Sequence, residues 1–285
     1  MLVVHSKQEL AEQIAEWRQN DEHVALVATM GSLHAGHLKL VELAREHAER
    51  VVVSIFVNPT QFGPGEDYAT YPRTLEADRQ ALMDADADLL FAPAVEEVYT
   101  GDLEHATRVE VPGLSDILCG AFRPGFFSGI ATVVTRLFNM VQPQVAVFGE
   151  KDYQQLVMIR RMVRDLCLPV EVQGVATERE SDGLAMSSRN GYLSAAERQL
   201  APGLYRALCE VRDAVESGAQ DYHRLEQTAM EVLSVAGFKP DYVSIRRQAD
   251  LALPGTGDTA LIVLAAATLG SARLIDNVQI SVTWE

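Results

Sequence analysis

The sequence predicts an α/β protein, a doubly wound parallel sheet of Rossmann-like type followed by a smaller α/β domain. Three observations carry that expectation. Short, continuously apolar runs alternate with stretches of helical periodicity through the first 176 residues, the pattern of parallel strands buried on both faces and joined by crossover helices. Glycine-rich turns follow the apolar runs where such folds bind ligands. After residue 176 the alternation gives way to two helices and then three strand candidates. A chain of 285 residues also exceeds what one compact core comfortably supports, so the division into 1–176 and 177–285 is the natural one.

The elements follow in order. Ser6-Lys7-Gln8-Glu9 is a capping box, and Leu10, Ile14 and Trp17 then recur at helical spacing. Val24 to Ala28 is a buried strand, Gly31 to Gly36 a turn, and Leu38 to His47 a helix. Val51 to Val57, Leu89 to Ala92, Val145 to Phe148 and Val170 to Val175 read as further strands. Leu75 to Met83, Ile130 to Met140 and Tyr153 to Leu166 read as the intervening helices. Ser194-Ala195-Ala196-Glu197 is a second capping box, expected to open one long helix that Gly218 ends. A helix over 222–236 and strands over 242–245, 261–267 and 278–282 complete the expectation. The second domain is expected to act as a lid.

Composition narrows the function. Hydrophobic residues at 48% and charged residues at 22% are those of an ordinary globular protein. A formal net charge of −16 repels nucleic acid and anionic lipid, so neither is an expected partner. The three cysteines are too few and too scattered for a disulfide framework or a metal cluster, and no apolar stretch reaches the ~18 residues of a membrane span. A cytoplasmic protein is expected. Lysine occurs only at positions 7, 39, 151 and 239, so a lysine within a motif stands out.

Four segments carry chemistry. Thr29-Met30-Gly31-Ser32-Leu33-His34-Ala35-Gly36-His37 follows the first buried strand. A glycine turn opening a helix presents backbone N–H groups to an anion, and His34 and His37 lie three residues apart to face the same phosphates. A surface turn with two incidental histidines is the alternative for a bare H-x-G-H. Met186-Ser187-Ser188-Arg189 combines small hydroxyls with a cation suited to a triphosphate, although a serine-rich linker would look the same in isolation. Gly149-Glu150-Lys151-Asp152 sits at a strand-to-helix junction, with Gln155 one turn after Lys151 on the same face; Asp152 serves equally well as a helix cap. Asn58 and Gln61, in N-P-T-Q-F-G-P, are neutral amides that suit a small polar acid, or else belong to a turn built on Asn-Pro and Gly-Pro.

The histidine and Ser-Ser-Arg segments together resemble the signature pair of the nucleotidyltransferase superfamily that includes the class I aminoacyl-tRNA synthetases. Six strings in order, T-M-G-S-L-H-A-G-H, S-I-F-V-N-P-T-Q-F-G-P, Y-P-R-T-L-E-A-D, L-C-G-A-F-R-P-G, F-G-E-K-D-Y-Q-Q-L and D-G-L-A-M-S-S-R-N, resemble the pantothenate synthetase (pantoate–β-alanine ligase) family. The resemblance thins after Arg198 to Arg273-Leu274-Ile275-Asp276-Asn277. It implies an AMP-forming ligase that joins pantoate to β-alanine through a pantoyl adenylate, with ATP carrying Mg²⁺, and a homodimer. It further implies that Met30 to His37 bind ATP, with His37 as proton donor and His34 stabilising phosphate charge. Gly149 to Asp152, Met186 to Arg189 and the backbone of Glu178 complete the nucleotide site, with Lys151 and Arg189 among the catalytic cations. Gln61 and Gln155 would hold pantoate, Gln61 would also meet β-alanine, and Asn58, Tyr71 and Arg123 would assist.

Three positions depart from the family pattern: Ala28 stands where proline is usual, Phe126 where histidine is usual, and Glu178 where the residue is commonly apolar. Two rivals stand beside this reading, one from the same superfamily and one from a different class of function. An adenylyltransferase acting on a phosphate-bearing substrate such as phosphopantetheine would call for more cations than Gln61 and Gln155 supply. A catalytically dead nucleotide-binding module would not need His34, His37, Lys151 and Arg189 together. A class I synthetase is disfavoured by the acidic chain and the want of an evident tRNA-binding extension.

Overall fold

The computed structural model describes residues 1–282, which divide into two compact units. Unit 1 comprises Met1–Glu150 and Met158–Ala176; unit 2 comprises Lys151–Val157 and the chain from Thr177 onward.

Unit 1 runs β1 (Leu2–Val4), α1 (Lys7–Gln19), β2 (Val24–Thr29), α2 (Ala35–His47), β3 (Arg50–Ile55), α3 (Leu75–Asp84), β4 (Leu89–Phe91), α4 (Val95–Val98), α5 (Cys119–Phe122), α6 (Phe126–Val141), β5 (Val145–Gly149), the part of α7 (Tyr153–Asp165) from Met158 onward, and β6 (Glu171–Val175). Its sheet is parallel throughout, in the order β1-β4-β3-β2-β5-β6. The strand order reverses at β2 and β5, which pair as Ala25 with Val145 and Val27 with Val147. That reversal is where doubly wound sheets open a crevice at their carboxyl edge. One face of β2, β3 and β5 packs Ala25, Val27, Val51, Val53 and Val147 against Leu40, Val41 and Ala44 of α2. Leu26, Val52 and Leu89 on the other face are fully buried as well. Burial on both faces is why these strands are continuously apolar.

The predicted N-terminal capping box forms. Glu9 N–H donates to Ser6 Oγ at 3.2 Å and Ser6 N–H to the Glu9 carboxylate at 3.0 Å, while Leu10, Ile14 and Trp17 face the core. The hydrogen bonds to its carboxylate, first among them the one from the His5 N–H, hold the Glu9 carboxyl below its ordinary pKa.

Unit 2 contains α8 (Ala195–Leu200), α9 (Gly203–Glu216), α10 (Tyr222–Val235) and the antiparallel sheet β7 (Lys239–Arg247), β8 (Ala260–Leu269) and β9 (Ala272–Ser281) in that order. Leu204, Leu208 and Val211 of α9 and Leu233 of α10 pack on Val243, Ile245, Val263 and Ile280 of the sheet. The sequence places the change of unit near residue 176, whereas Lys151–Val157 groups with unit 2. Two bonds join this segment to the rest of unit 2: the Tyr153 hydroxyl donates to the Gln248 carbonyl at 3.2 Å, and Asn277 Nδ2 to the Lys151 carbonyl at 3.0 Å.

Several elements differ from expectation, among them the short helices α4 and α5, which have no counterpart in it. The long helix expected from Ser194 to Gly218 is two helices, because Pro202 has no N–H to continue the ladder. Its second capping box and its glycine stop are present, with Gly218 at φ +98° and the Ala219 N–H reaching back to Ala214. The last strand begins at Ala272 and not at 278, which places Arg273 to Asn277 inside β9. β1, three residues at the sheet edge, has too short a run for any periodicity to register.

Candidate active site

In unit 1 the chain leaves β2 at Thr29 and turns sharply before α2. Gly31 at φ +83° and Ser32 at φ +53° make two successive residues of left-handed conformation, which only the first adopts without steric cost. The turn wraps one buried carboxylate. Asp78, on the first turn of α3 and 3% exposed, accepts the backbone N–H groups of Ser32 at 2.9 Å and Leu33 at 2.8 Å. It also accepts the Thr74 hydroxyl at 3.2 Å. A side chain at Gly31 would come within 3.1 Å of both Asp78 Oδ2 and Ile55 Cγ2, so the carboxylate and the glycine fit each other. Asp78 lies in the string Y-P-R-T-L-E-A-D, yet nothing in its spacing singles it out; an aspartate in a helix's first turn ordinarily answers to the helix dipole.

The turn delivers two imidazoles to the N-terminus of α2. His34 is the residue preceding the helix and His37 lies in its first turn, with ring centroids 4.0 Å apart and planes tilted by 40°. The His34 backbone N–H donates to His37 Nδ1 at 3.3 Å. With Nδ1 accepting, the neutral ring carries its proton on Nε2, as a donor at a helix end that favours anions. Met30, Ser32, Leu33, Gly36 and His37 are half-buried and Ala35 is exposed, so the segment presents both backbone and side chains.

The amides form a second cluster in unit 1. Asn58 is fully buried: Nδ2 donates to Gln61 Oε1 at 2.9 Å and to the Gly129 carbonyl at 3.2 Å. Its Oδ1 accepts from the Thr60 N–H, the Thr60 hydroxyl and the Tyr99 hydroxyl. Burial raises the Tyr99 phenol above its ordinary pKa, against the Thr60 and Asn58 hydrogen bonds and the Arg136 charge, so it stays a neutral donor here. Asn58 thereby orients the Gln61 amide. Gln61 keeps its Nε2 amino group, a two-hydrogen donor, for a carboxylate or hydroxyl.

Gln61 and Arg123 line a cavity of about 760 Å³. Arg123 is tied to Glu66, with Nε to Oε1 at 2.8 Å, and donates to the Gln61 carbonyl at 3.2 Å. Its guanidinium lies 3.6 Å from the centre of the Phe126 ring, so the aromatic at the position where the family pattern has histidine serves as a cation–π platform. Tyr71 is buried, edge-on to Phe62 with centroids 5.8 Å apart.

The other candidates are Gly149 and Glu150, at the end of a unit 1 strand, and residues of unit 2 from Lys151 onward. β5 ends at Gly149, where an added Cβ would meet nothing within 4 Å, and the chain passes through Glu150-Lys151-Asp152 as one 3₁₀ turn into α7. The Lys151 ammonium is 3.8 Å from the Asp152 carboxylate, and Gln155 is half-buried one turn on. Residues 178–186 fold back on themselves: Arg179 bridges Ala185, and the Met186 N–H donates to the Glu178 carbonyl at 2.9 Å. Gly183 turns this hairpin at φ +94°, where a Cβ would sit 2.7 Å from the Tyr205 ring. From it emerges a 3₁₀ turn, Ser188–Tyr192, capped by the Ser187 hydroxyl accepting the Arg189 N–H at 3.3 Å.

Among the described residues no group of three or more His, Cys, Asp or Glu could hold a metal ion, and no helix is long and apolar enough to cross a membrane.

The profile of the family described as Pantoate-beta-alanine ligase matches residues 2–279. A protein of Methylococcus capsulatus named Pantothenate synthetase is 57% identical over 281 residues, 99% of this chain and 98% of its own length. The crystal structure of Pantoate-beta-Alanine (Pantothenate Synthetase) from Thermus thermophilus superposes with a TM-score of 0.91 at 51% identity, covering 98% of this chain and 99% of that one. A Pantoate-beta-alanine Ligase from Francisella tularensis, solved complexed with Beta-gamma ATP and Beta-alanine, gives a TM-score of 0.83 at 32% identity, covering 98% and 97%.

Proposed function

The chain belongs to the pantoate–β-alanine ligase family, and from that premise we propose that it joins pantoate to β-alanine at the expense of ATP, through a pantoyl adenylate. A pantoate carboxylate oxygen attacks the α-phosphorus of ATP and pyrophosphate leaves. The β-alanine amine then attacks the acyl carbon, loses a proton, and displaces AMP. The first step is needed because an oxide is a poor leaving group and AMP is a good one.

The observation that carries this reading is the turn after β2, with His37 fixed as an Nε2–H donor at the N-terminus of α2. Donors already aimed at the developing charge need no reorganisation when the phosphate accepts it. His37 and His34, with Met30 to Gly36, are assigned to the ATP phosphates from unit 1. Lys151, Gly149 to Asp152, Glu178 and Met186 to Arg189 are assigned to the nucleotide from the other segments. Gln61 and Gln155 are assigned to pantoate, Gln61 also to β-alanine, with Asn58 holding Gln61; Tyr71 and Arg123 support that cluster. The Francisella tularensis relative, solved with Beta-gamma ATP and Beta-alanine, supports ATP and β-alanine as ligands. ATP would carry Mg²⁺, which would neutralise charge on the triphosphate oxygens. A cytoplasmic homodimer completes the reading.

The test is a product assay across small hydroxy acids and amines. AMP and the pantoate amide should appear together in equal amounts, and only when pantoate, β-alanine and ATP are all present. ADP as the nucleotide product would overturn the reading.

Gln61→Ala isolates the acid subsite. A polar substrate group left unpaired costs about 1–3 kcal/mol, a weakening of roughly 5- to 150-fold. Pantoate KM should rise by that factor while ATP binding in the absence of pantoate stays near that of the parent. An equal loss of ATP affinity, read by calorimetry, would place Gln61 elsewhere.

A further inference from the structure

Arg273 to Asn277 continue the family resemblance but have no place in the chemistry assigned above, and β9 brings two of them to a buried cluster. Asp276 is 4% exposed and Asn277 is 6% exposed. Arg179 grips Asp276 through its two terminal guanidinium nitrogens, Nη1 at 2.7 Å and Nη2 at 2.9 Å, the paired geometry a planar fork offers a carboxylate. The same guanidinium donates to the carbonyls of Gly183 at 3.0 Å and Asn277 at 3.3 Å and lies 3.8 Å from the centre of the Tyr205 ring. Burial opposes its charge, yet the Asp276 bonds hold its pKa above the ordinary arginine value.

A buried ion pair is seldom the most stable filling for a core, so its geometry is the better guide to its use. Arg179 spans the hairpin of residues 178–186, by its backbone bridge to Ala185 and its bond to Gly183, and Ser187 to Arg189 leave from that hairpin. Asn277 Nδ2 holds the Lys151 carbonyl at 3.0 Å, and the Asn277 N–H donates to Asp276 Oδ1 at 2.8 Å. One strand of a rigid antiparallel sheet therefore anchors both segments that carry cations to the nucleotide.

We propose that Arg179, Asp276 and Asn277 are positioning residues that set Lys151 and the Ser187-Ser188-Arg189 segment in fixed geometry on the β9 frame for the ATP phosphates. The inference rests on the assignment of Lys151 and Arg189 to those phosphates. Asn277 acts through the Lys151 carbonyl, while Asp276 acts through Arg179 on the Ser187-Ser188-Arg189 segment and through the Asn277 N–H on the Lys151 segment.

The test uses the full-length protein carrying Asn277→Ala, Asn277→Asp (which keeps the shape but loses the donor) or Asp276→Asn. Arg273→Ala is the control on the same strand, since Arg273 bonds Asp241 at 2.8 Å. A misplacement of the order of 1 Å costs up to about 100-fold in rate, so both Asn277 variants should lose about 10- to 100-fold in kcat, with a thermal midpoint close to that of Arg273→Ala. In a Lys151→Ala background, the same Asn277 substitutions should lower the residual kcat no further. A wild-type kcat in Asn277→Ala while Lys151→Ala is crippled would overturn the proposal, as would an equal loss in both backgrounds, the mark of a merely structural clasp. Lys151→Ala at the wild-type rate would overturn the assignment of Lys151 and this inference with it, and that single variant tells the two failures apart. Should Asp276→Asn fail to fold, Asn277→Ala leaves the Arg179–Asp276 pair intact and carries the test.

Discussion

His37→Ala is expected to lower turnover by about 10²- to 10³-fold with the thermal midpoint unchanged, the loss typical of one preorganised donor to developing charge. The expectation follows from how the ring is held. Its Nδ1 is occupied by the His34 N–H, its centroid lies 4.0 Å from that of the His34 ring, and it stands in the first turn of α2 where the helix dipole favours anions. Alanine removes the Nε2–H donor but little buried surface, since His37 is only half-buried. The rate should therefore move and the fold should not. Steady-state kinetics beside calorimetric melting checks both halves; near-full activity with normal melting would remove His37 from the chemistry.

Asp78→Ala is expected to damage stability and rate together. Its carboxylate satisfies two backbone N–H groups and a hydroxyl while 3% exposed, and a buried donor left unpaired costs about 1–3 kcal/mol. Three such donors give a loss of roughly 3 kcal/mol or more, which lowers the melting midpoint by roughly 6–12 °C for a unit of this size. The turn would also lose what holds Gly31 and Ser32 in left-handed conformation, and His34 and His37 stand directly after it. Asp78→Asn, which keeps the shape but turns an N–H₂ toward one of the donors, should fall between the parent and alanine. An unchanged midpoint in Asp78→Ala would show that the turn holds itself.

What was legible in the sequence was local. The Ser6 capping box, the doubly buried strands and the glycine turns each announce themselves within a few residues, and the parallel sheet follows from the alternation of strands with helices. The His34–His37 spacing and the Gly149 to Asp152 junction were visible for the same reason. What escaped depends on contacts distant in sequence. Asp78 looks like a surface helix residue until the turn after β2 closes over it. The partners of the Asn58 amide, Gly129 and Tyr99, are likewise remote in sequence. Lys151–Val157 reads as part of the first domain, because the carbonyls and amides that draw it into unit 2 come from Gln248 and Asn277. Pro202 is a different case: the break in the helix was written in the residue itself, and the capping box before it concealed the interruption.

The central claim is that the carboxylate is activated as an acyl adenylate before the amine attacks, and isotope exchange tests it most directly. Given pantoate, Mg²⁺ and ATP with no β-alanine, the enzyme should exchange labelled pyrophosphate into ATP, because the first half-reaction is complete and reversible without the amine. Omitting pantoate should abolish the exchange, since no acceptor for AMP remains, and His37→Ala should slow it in proportion to turnover. Exchange that appears only when β-alanine is added, or pantoate-dependent release of ADP with no exchange at all, would contradict the acyl-adenylate account.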